Sequence, residues 1–239
     1  MADRLFLAGA AGAIGRALIP LLKADGWHVV GTTRRADRAV QLAALGIEAV
    51  VVDVFDGVAL TQAVAAARPR VVVHQLTDLP AGLDPARMGA ARARNARIRE
   101  DGTRNLIAAT VAAGARRLVA QSIAFAYAAP GPKPWRESDP LNIEVAGDAG
   151  VTPRAAASLE RQVLAAPLDG LVLRYGFFYG PGTGFDAPTG PGSIHVADAA
   201  EATRHALTRG ATGIYNIAED DGTVDVTRAR DELGWRPTR

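Results

Sequence analysis

Apolar residues in this chain fall into short continuous runs that alternate with stretches of helical periodicity. The runs predict strands that are covered on both faces, because such strands are apolar throughout. We predict strands at Leu5–Ala8, His28–Thr32, Ala49–Asp53, Val71–Gln75, Leu118–Ser122, Leu171–Tyr175 and Gly213–Ile217. We predict helices at Ala13–Asp25, Asp37–Leu45, Val58–Ala67, Arg87–Ala113, Pro153–Ala166 and Ala199–Arg209. Strands that alternate with helices predict an α/β fold with a doubly wound parallel sheet.

A glycine-rich turn follows the first predicted strand. Residues 4–15 read R-L-F-L-A-G-A-A-G-A-I-G, so the strand runs directly into Gly9, Gly12 and Gly15. Residues without a Cβ allow a tight turn and a close approach of the backbone to a pyrophosphate, which the N-terminus of the next helix then binds. The alternative interpretation is a simple tight turn. We assign dinucleotide contacts here to Gly9, Ala11, Gly12, Ala13 and Ile14.

The end of the second predicted strand indicates which dinucleotide binds. An acidic residue at this position would hold the ribose hydroxyls of NAD, whereas arginine accommodates the additional phosphate of NADP. The segment reads G-T-T-R-R, with Arg34 and Arg35 where the acid would be. Guanidinium groups suit phosphate bidentately, so we predict NADP in preference to NAD. The alternative is that both arginines are solvated surface residues.

The third and fourth predicted strands supply further candidates for the cofactor site. Asp53 and Val54 close the third strand, where the Asp53 carboxylate is predicted to accept a hydrogen bond from the adenine amino group. Gln75, Leu76 and Thr77 follow the fourth strand and are predicted to pass beside the ribose and pyrophosphate. In a doubly wound fold the ligand crevice lies at the carboxyl ends of the strands, which is where these residues stand.

Composition excludes several classes of function. The chain has 239 residues, of which 49% are apolar, and this is enough for one sizeable core. The formal net charge is +2 and no lysine or arginine run is present, so we predict no nucleic-acid partner. There is no cysteine, and no apolar run reaches membrane-spanning length. We therefore expect a cytoplasmic protein that does not associate with membranes, and we predict no metal site.

Several segments in order resemble the short-chain dehydrogenase/reductase superfamily, in its extended branch of NAD-dependent epimerases and dehydratases. Extended members carry a larger C-terminal substrate lobe, whereas here little follows residue 217 except 227–233. The resemblance therefore implies one Rossmann-type NAD(P)-binding domain over 1–239, with a reduced substrate-lobe remnant at about 177–239. The matching segments are Gly9–Gly15, Asp53, Asp101–Asn105, Leu118–Ser122, Leu173–Gly182, His195–Asp198 and Glu232–Pro237.

The resemblance also implies a redox centre of Ser, Tyr and Lys, with the Tyr and Lys four residues apart on one helix. No tyrosine of this chain is followed by a lysine at that spacing. When Glu160 is matched with the family's glutamate on that helix, Thr152 takes the Tyr position and Ala156 takes the Lys position. The standard pair is therefore absent from the sequence.

Other residues are candidates for parts of this centre. Ser122, at the end of the fifth strand, is a candidate for the family's serine, which orients the substrate oxygen. Tyr127 would reach the site from the following loop as a proton donor, or it packs against the strand end. Tyr175 and Phe177, around the end of the sixth strand, are assigned to the cofactor site, where Tyr175 would wall the nicotinamide pocket.

Two functional hypotheses follow. The first is an NADP(H)-dependent oxidoreductase, or an epimerase-like enzyme, that acts on a small carbonyl or hydroxyl compound. The second is a non-catalytic NADP-binding sensor or interaction protein that keeps the fold without the proton-transfer residues. The resemblance further implies a homodimer through the long fourth helix, although the arginine-rich stretch 87–104 is also compatible with a solvated face.

Overall fold

The computed structural model describes residues 3–128, 131 and 133–239. A seven-stranded sheet runs through this part of the chain in the order β3-β2-β1-β4-β5-β6-β9, and all of its neighbouring strands are parallel. The predicted Rossmann-type, doubly wound α/β fold is confirmed. Its strands are β1 (Arg4–Ala8), β2 (His28–Thr33), β3 (Glu48–Val51), β4 (Val71–His74), β5 (Arg117–Ile123), β6 (Asp169–Tyr175) and β9 (Gly213–Ile217), and a separate parallel pair consists of β7 (Phe177–Tyr179) and β8 (Ser193–His195).

The helices lie close to their predicted positions, with one difference. They are α1 (Ala13–Ala24), α2 (Ala36–Ala44), α3 (Gly57–Ala67), α4 (Pro85–Arg97), α5 (Thr103–Ala112), α6 (Val151–Ala165) and α7 (Val196–Ala206). The single helix predicted over 87–113 is interrupted by a π-helical segment, Ile98–Gly102. Gly102 in this segment is buried against Val54, and a Cβ there would lie 3.1 Å from Val54 Cγ1. The absence of a side chain lets this wide turn approach the end of β3.

The core consists of two layers, one on each face of the sheet. Alternate residues of a strand point to opposite faces, so each strand contributes to both layers. Leu5, Leu7 and Leu173 belong to the layer that includes buried residues of α1 and α7. Phe6 and Val172 belong to the opposite layer, with buried residues of α3, α5 and α6. This burial fixes the carboxyl ends of the strands, from which the candidate site is built.

The chain after β6 returns to the sheet, because α7 packs on one of its faces and β9 forms its last strand. Trp235 is buried, and its indole Nε1 donates to the Asp198 carbonyl oxygen at 2.9 Å. The Asp198 carboxylate accepts hydrogen bonds from Thr238 and Arg239. The chain end is thereby tied to α7. In the part of the chain that the structure describes, no helix is long and apolar enough to cross a membrane.

Candidate functional site

A groove opens where β1, β2 and β4 end. Its wall brings together predicted cofactor residues that are far apart in the sequence. Their contact with a cofactor stays a prediction. The predicted residues that line the groove are Gly9, Ala11, Gly12, Arg34, Arg35, Val54, Gln75, Leu76 and Thr77. The sequence analysis missed Ala8, Thr32, Thr33, Arg38, Val52, Phe55, Leu60 and Ile98, which also line it.

The glycine turn forms the floor of this groove. Gly9 has φ +91°, and a Cβ on it would lie 2.4 Å from the Gln75 carbonyl oxygen. A Cβ on Gly15 would lie 2.6 Å from the carbonyl oxygens of Gly9 and Ala10. Both positions therefore exclude any larger residue. Without side chains at these two positions, the backbone of the turn would be able to approach a pyrophosphate closely.

The N-terminus of α1 is open to an anion. Gly12 precedes the helix, and neither a side-chain cap nor an acidic residue in the first turn occupies its N–H groups. Such uncapped N–H groups at the positive end of a helix bind phosphate. The turn and the helix start together fit the phosphates of a dinucleotide.

The arginines after β2 lie at one end of the groove. Arg34 pairs with Asp78 at 3.0 Å, and Arg35 donates two hydrogen bonds, of 2.9 and 2.7 Å, to Asp37. Arg38, in the first turn of α2, forms no ion pair within the described part of the chain. The spacing R-R-x-x-R was the signal for Arg38, because it brings a third guanidinium back toward the end of β2.

Apolar residues form the opposite wall. Val54, Phe55 and Leu60 line the groove there, and the Arg97 guanidinium lies 4.0 Å from the centroid of the Phe55 ring. Asp53 is not part of the lining, and its Oδ1 accepts a hydrogen bond from the Phe55 N–H at 2.9 Å. One oxygen of this carboxylate thus stabilises its own turn, and its contact with adenine stays a prediction.

Two other predicted contacts lie outside the lining of the groove. Ile14 is buried in the core, and Ala13 faces a later segment of the chain. A Cβ on Gly182 would lie 3.7 Å from Ala13 Cβ, and one on Gly184 would lie 3.3 Å from Gly82 Cα. The segment after β7 therefore passes close to both the start of α1 and the turn that precedes α4.

Ser122 has a different environment from the one expected of a substrate-orienting serine. It is fully buried, and its Oγ donates to Glu160 Oε1 at 2.6 Å. Glu160 in turn accepts hydrogen bonds of 2.8 and 2.7 Å from Arg174. The hydroxyl supports a buried ion pair beneath α6. That Ser122 orients a substrate oxygen stays a prediction.

Tyr127 also differs from the expectation for a proton donor. Its hydroxyl donates to Asn216 Oδ1 at 2.6 Å, and its ring stacks on Trp135 with the centroids 5.6 Å apart. Burial raises the pKa of this phenol, although the nearby Arg174 guanidinium opposes the shift. A raised pKa makes the group a poorer proton donor near neutral pH. The interpretation that Tyr127 packs against the strand end fits this geometry.

Tyr175 does not wall an open pocket. It is fully buried, it shares a 2.7 Å hydrogen bond with Thr203, and burial raises the pKa of its hydroxyl. The buried amide of Gln75 lies close to this hydroxyl without a hydrogen bond of normal geometry. That Tyr175 contacts the cofactor stays a prediction. Phe177, by contrast, is exposed and stacks on Phe125.

A charged residue that the sequence pattern did not indicate follows Ile98 of the groove lining. Arg99 lies in the π-helical segment, and burial lowers its pKa to about 10. Among the described residues it forms no ion pair within 4.0 Å. Burial and the Arg99 charge together lower the pKa of His74 to about 4, and the neutral imidazole Nε2 lies 3.0 Å from Thr103 Oγ1. His74 is therefore uncharged at neutral pH.

Comparisons with known proteins agree with this geometry. A family model described as NAD(P)H-binding matches residues 9–210. A curated relative from a Streptomyces species, named 3-diazoavenalumate denitrifying reductase, is 43% identical over 239 aligned positions, which cover 91% of this chain and 76% of the relative.

Solved structures share the fold at low sequence identity. UDP-glucose 4-epimerase of Thermotoga maritima, solved with UDP-glucose, has a TM-score of 0.78 at 17% identity and covers 98% of this chain and 94% of its own. WbmG of Bordetella bronchiseptica, solved with NAD and UDP, has a TM-score of 0.79 at 18% identity and covers 100% and 90%. A short-chain dehydrogenase/reductase superfamily protein of Agrobacterium tumefaciens with bound NAD has a TM-score of 0.74 at 20% identity and covers 99% and 93%. The groove, the family match and the shared fold lead to one conclusion: the chain belongs to the NAD(P)H-binding family and has the fold of short-chain dehydrogenases/reductases.

Proposed function

We propose that this chain is an NADPH-dependent reductase that acts on a small diazo compound in its diazonium form. The observation that carries the proposal is that a groove suited to a dinucleotide occurs together with candidate catalytic hydroxyls that are hydrogen-bonded within the core. Ser122 and Tyr127 bond to Glu160 and Asn216. The relative at 43% identity is named as a reductase of a diazo compound, which supports this substrate class.

Residues of the groove would hold the cofactor. The backbone of Gly9 and Gly12 and the start of α1 would bind the pyrophosphate, because their N–H groups are open to an anion. Val54, Phe55 and Leu60 supply an apolar wall for the adenine. These groups fit a dinucleotide in shape and in charge.

Preference for NADPH follows from the charges after β2. The strand ends in Thr32 and Thr33, so no carboxylate stands there to hold the ribose hydroxyls of NAD. Arg34 and Arg35 have acidic partners, while Arg38 lines the groove without an ion pair among the described residues. A 2′-phosphate would supply the anion that this guanidinium lacks.

Because the hydroxyls of Ser122 and Tyr127 are hydrogen-bonded within the core, the site suits a reduction that consumes no proton. If bound NADPH supplied a hydride to the carbon that bears the nitrogen of a diazonium ion, a C–H bond would form there and the C–N bond would break with its electrons leaving on N2. A carbonyl compound would instead form an alkoxide and need an acid. Tyr127, with its raised pKa and its bond to Asn216, is poorly placed for that role.

Turnover of a diazonium probe tests this proposal. With benzenediazonium we expect NADPH oxidation and N2 release in equal amounts, well above the rate without protein. Tyr127→Phe should keep kcat/KM within about threefold of the parent, while its stability falls by about 1–2 kcal/mol because Asn216 loses its donor. A 100-fold loss of kcat/KM in this variant, or turnover of benzaldehyde but not of benzenediazonium, would contradict the proposal.

The hydrogen-bonded hydroxyls of Ser122 and Tyr127 also favour the alternative, a non-catalytic NADP-binding protein. The two proposals differ in one observable. A sensor binds NADPH without oxidising it in the presence of any diazonium or carbonyl probe, whereas the reductase turns over the diazonium probe.

A further inference from the structure

Two phenylalanine side chains form an exposed stack at the edge of the sheet where the strands end. The ring centroids of Phe125 and Phe177 lie 4.4 Å apart at an interplanar angle of 13°. Each side chain is 44% exposed. Two large apolar rings held together in water, with their outer surfaces open, need a reason beyond packing, because burial would stabilise each of them.

The backbone holds both rings in place. Phe125 lies in a short 3-10 turn that follows β5, and its neighbours Ala124 and Ala126 are buried. Phe177 begins β7, and its N–H donates to the Gly192 carbonyl oxygen at 3.1 Å. The rings are therefore presented by rigid elements and not by a mobile loop, which lowers the entropic cost of binding against them.

The position of the stack places it beside the ligand crevice. Ile123 of β5 is in register with Tyr175 of β6, so the turns after these adjacent strands meet at the carboxyl edge of the sheet. Ligands of doubly wound sheets bind outside this edge. The segment after β7, which continues from Phe177, reaches the start of α1 through Gly182 and Ala13. The stack thus lies on the same edge as the nucleotide groove.

The chemistry of the stack defines its ligand. Phenylalanine has no hydrogen-bonding group, so the pair offers nothing to the hydroxyls of a sugar. It offers ring faces and edges, against which a planar aromatic ring packs in an offset or edge-to-face arrangement. We infer that Phe125 and Phe177 bind the aromatic ring of the substrate and make this site specific for planar aromatic compounds. The inference rests on the proposed function, since it concerns the compound that would be reduced there.

Binding of a matched pair of unreactive probes tests the inference. The probes are trans-cinnamate and (E)-3-cyclohexylacrylate, which share the carboxylate and the double bond but differ in the ring. We expect the protein, titrated with and without saturating NADP⁺, to bind cinnamate about fivefold more tightly than the cyclohexyl compound. Phe125→Leu and Phe177→Leu should each reduce this ratio to below twofold, and Phe125→Leu should leave NADP⁺ affinity unchanged. Phe185→Leu, at an exposed phenylalanine outside the stack, should keep the parent's ratio.

The contrary outcomes separate this inference from the proposed function. Equal binding of the two probes to the parent, or a ratio that survives both leucine variants, would overturn the aromatic site. Failure of the parent to bind NADP⁺ would instead refute the reductase, and the titration without nucleotide would still decide whether the stack prefers an aromatic ring.

Discussion

The Gly9→Ala protein is expected to bind NADPH at least about 100-fold more weakly than the parent. Gly9 has φ +91°, which costs an alanine about 1–3 kcal/mol, and the added Cβ would lie 2.4 Å from the Gln75 carbonyl oxygen. Because the backbone fixes the position of the Cβ and the Gln75 carbonyl is main chain, either the turn or the end of β4 must move. Both line the groove, so the site for the pyrophosphate is distorted. Calorimetric titration with NADPH measures the loss.

Two further variants separate the clash from general strain. Gly26→Ala also places alanine at a positive φ, +79°, but its Cβ would meet nothing within 4 Å, so it should bind NADPH as the parent does. Gly12→Ala has ordinary backbone angles, and its added methyl group contacts only the Gly9 carbonyl oxygen within 4 Å, at 3.3 Å. This variant should fold normally and bind NADPH about tenfold more weakly, because its methyl group occupies the space predicted for the pyrophosphate. Parent-like affinity in both Gly9→Ala and Gly12→Ala would contradict the assignment of the groove.

Replacement of Glu160 by alanine should lower the free energy of unfolding by about 3–5 kcal/mol. Glu160 and Arg174 are both buried, and the carboxylate accepts hydrogen bonds from Arg174 Nε and Nη2 and from Ser122 Oγ. Removing the carboxylate leaves an uncompensated guanidinium in the core. In the parent, burial lowers the pKa of Arg174, but the pairing with Glu160 outweighs burial and raises it overall; the variant loses this pairing while the burial remains. Urea unfolding followed by circular dichroism gives the value.

A surface pair provides the comparison. Asp101 pairs with Arg104 at 3.0 Å, and both side chains are exposed, so Asp101→Asn should cost less than about 1 kcal/mol. Glu160→Gln keeps the shape and one acceptor and should fall between the two. A loss below about 1 kcal/mol in Glu160→Ala would show that the buried pair does not hold α6 to β6.

The fold and the phosphate end of the site could be predicted because their signals are local. Continuous apolar runs mark buried parallel strands, and the glycines at 9, 12 and 15 follow such a run directly. Burial then brings the ends of β1, β2 and β4 together, as the sheet order requires. Arg38 was missed although its spacing from Arg34 was visible, because its role depends on how α2 leaves the strand.

The catalytic assignments could not be settled from the sequence because they depend on distant partners. Ser122 bonds to a residue 38 positions away, and Tyr127 to one 89 positions away. No local pattern tells whether a hydroxyl at a strand end faces the crevice or an ion pair under a helix. The family resemblance supplied the catalytic roles of Ser122 and Tyr127. In the folded chain, their hydroxyls are hydrogen-bonded to Glu160 and Asn216. The exposed stack of Phe125 and Phe177 likewise depends on two strands that are neighbours only in the folded chain.

Calorimetric titration of the parent protein with NADPH, and separately with NADH, tests the central claim most directly. The groove at the start of α1 predicts one NADPH site per chain with a dissociation constant of about 1–100 µM. The cluster of Arg34, Arg35 and Arg38 predicts that NADH binds about tenfold more weakly. Absence of binding by both nucleotides at millimolar concentration would contradict the account.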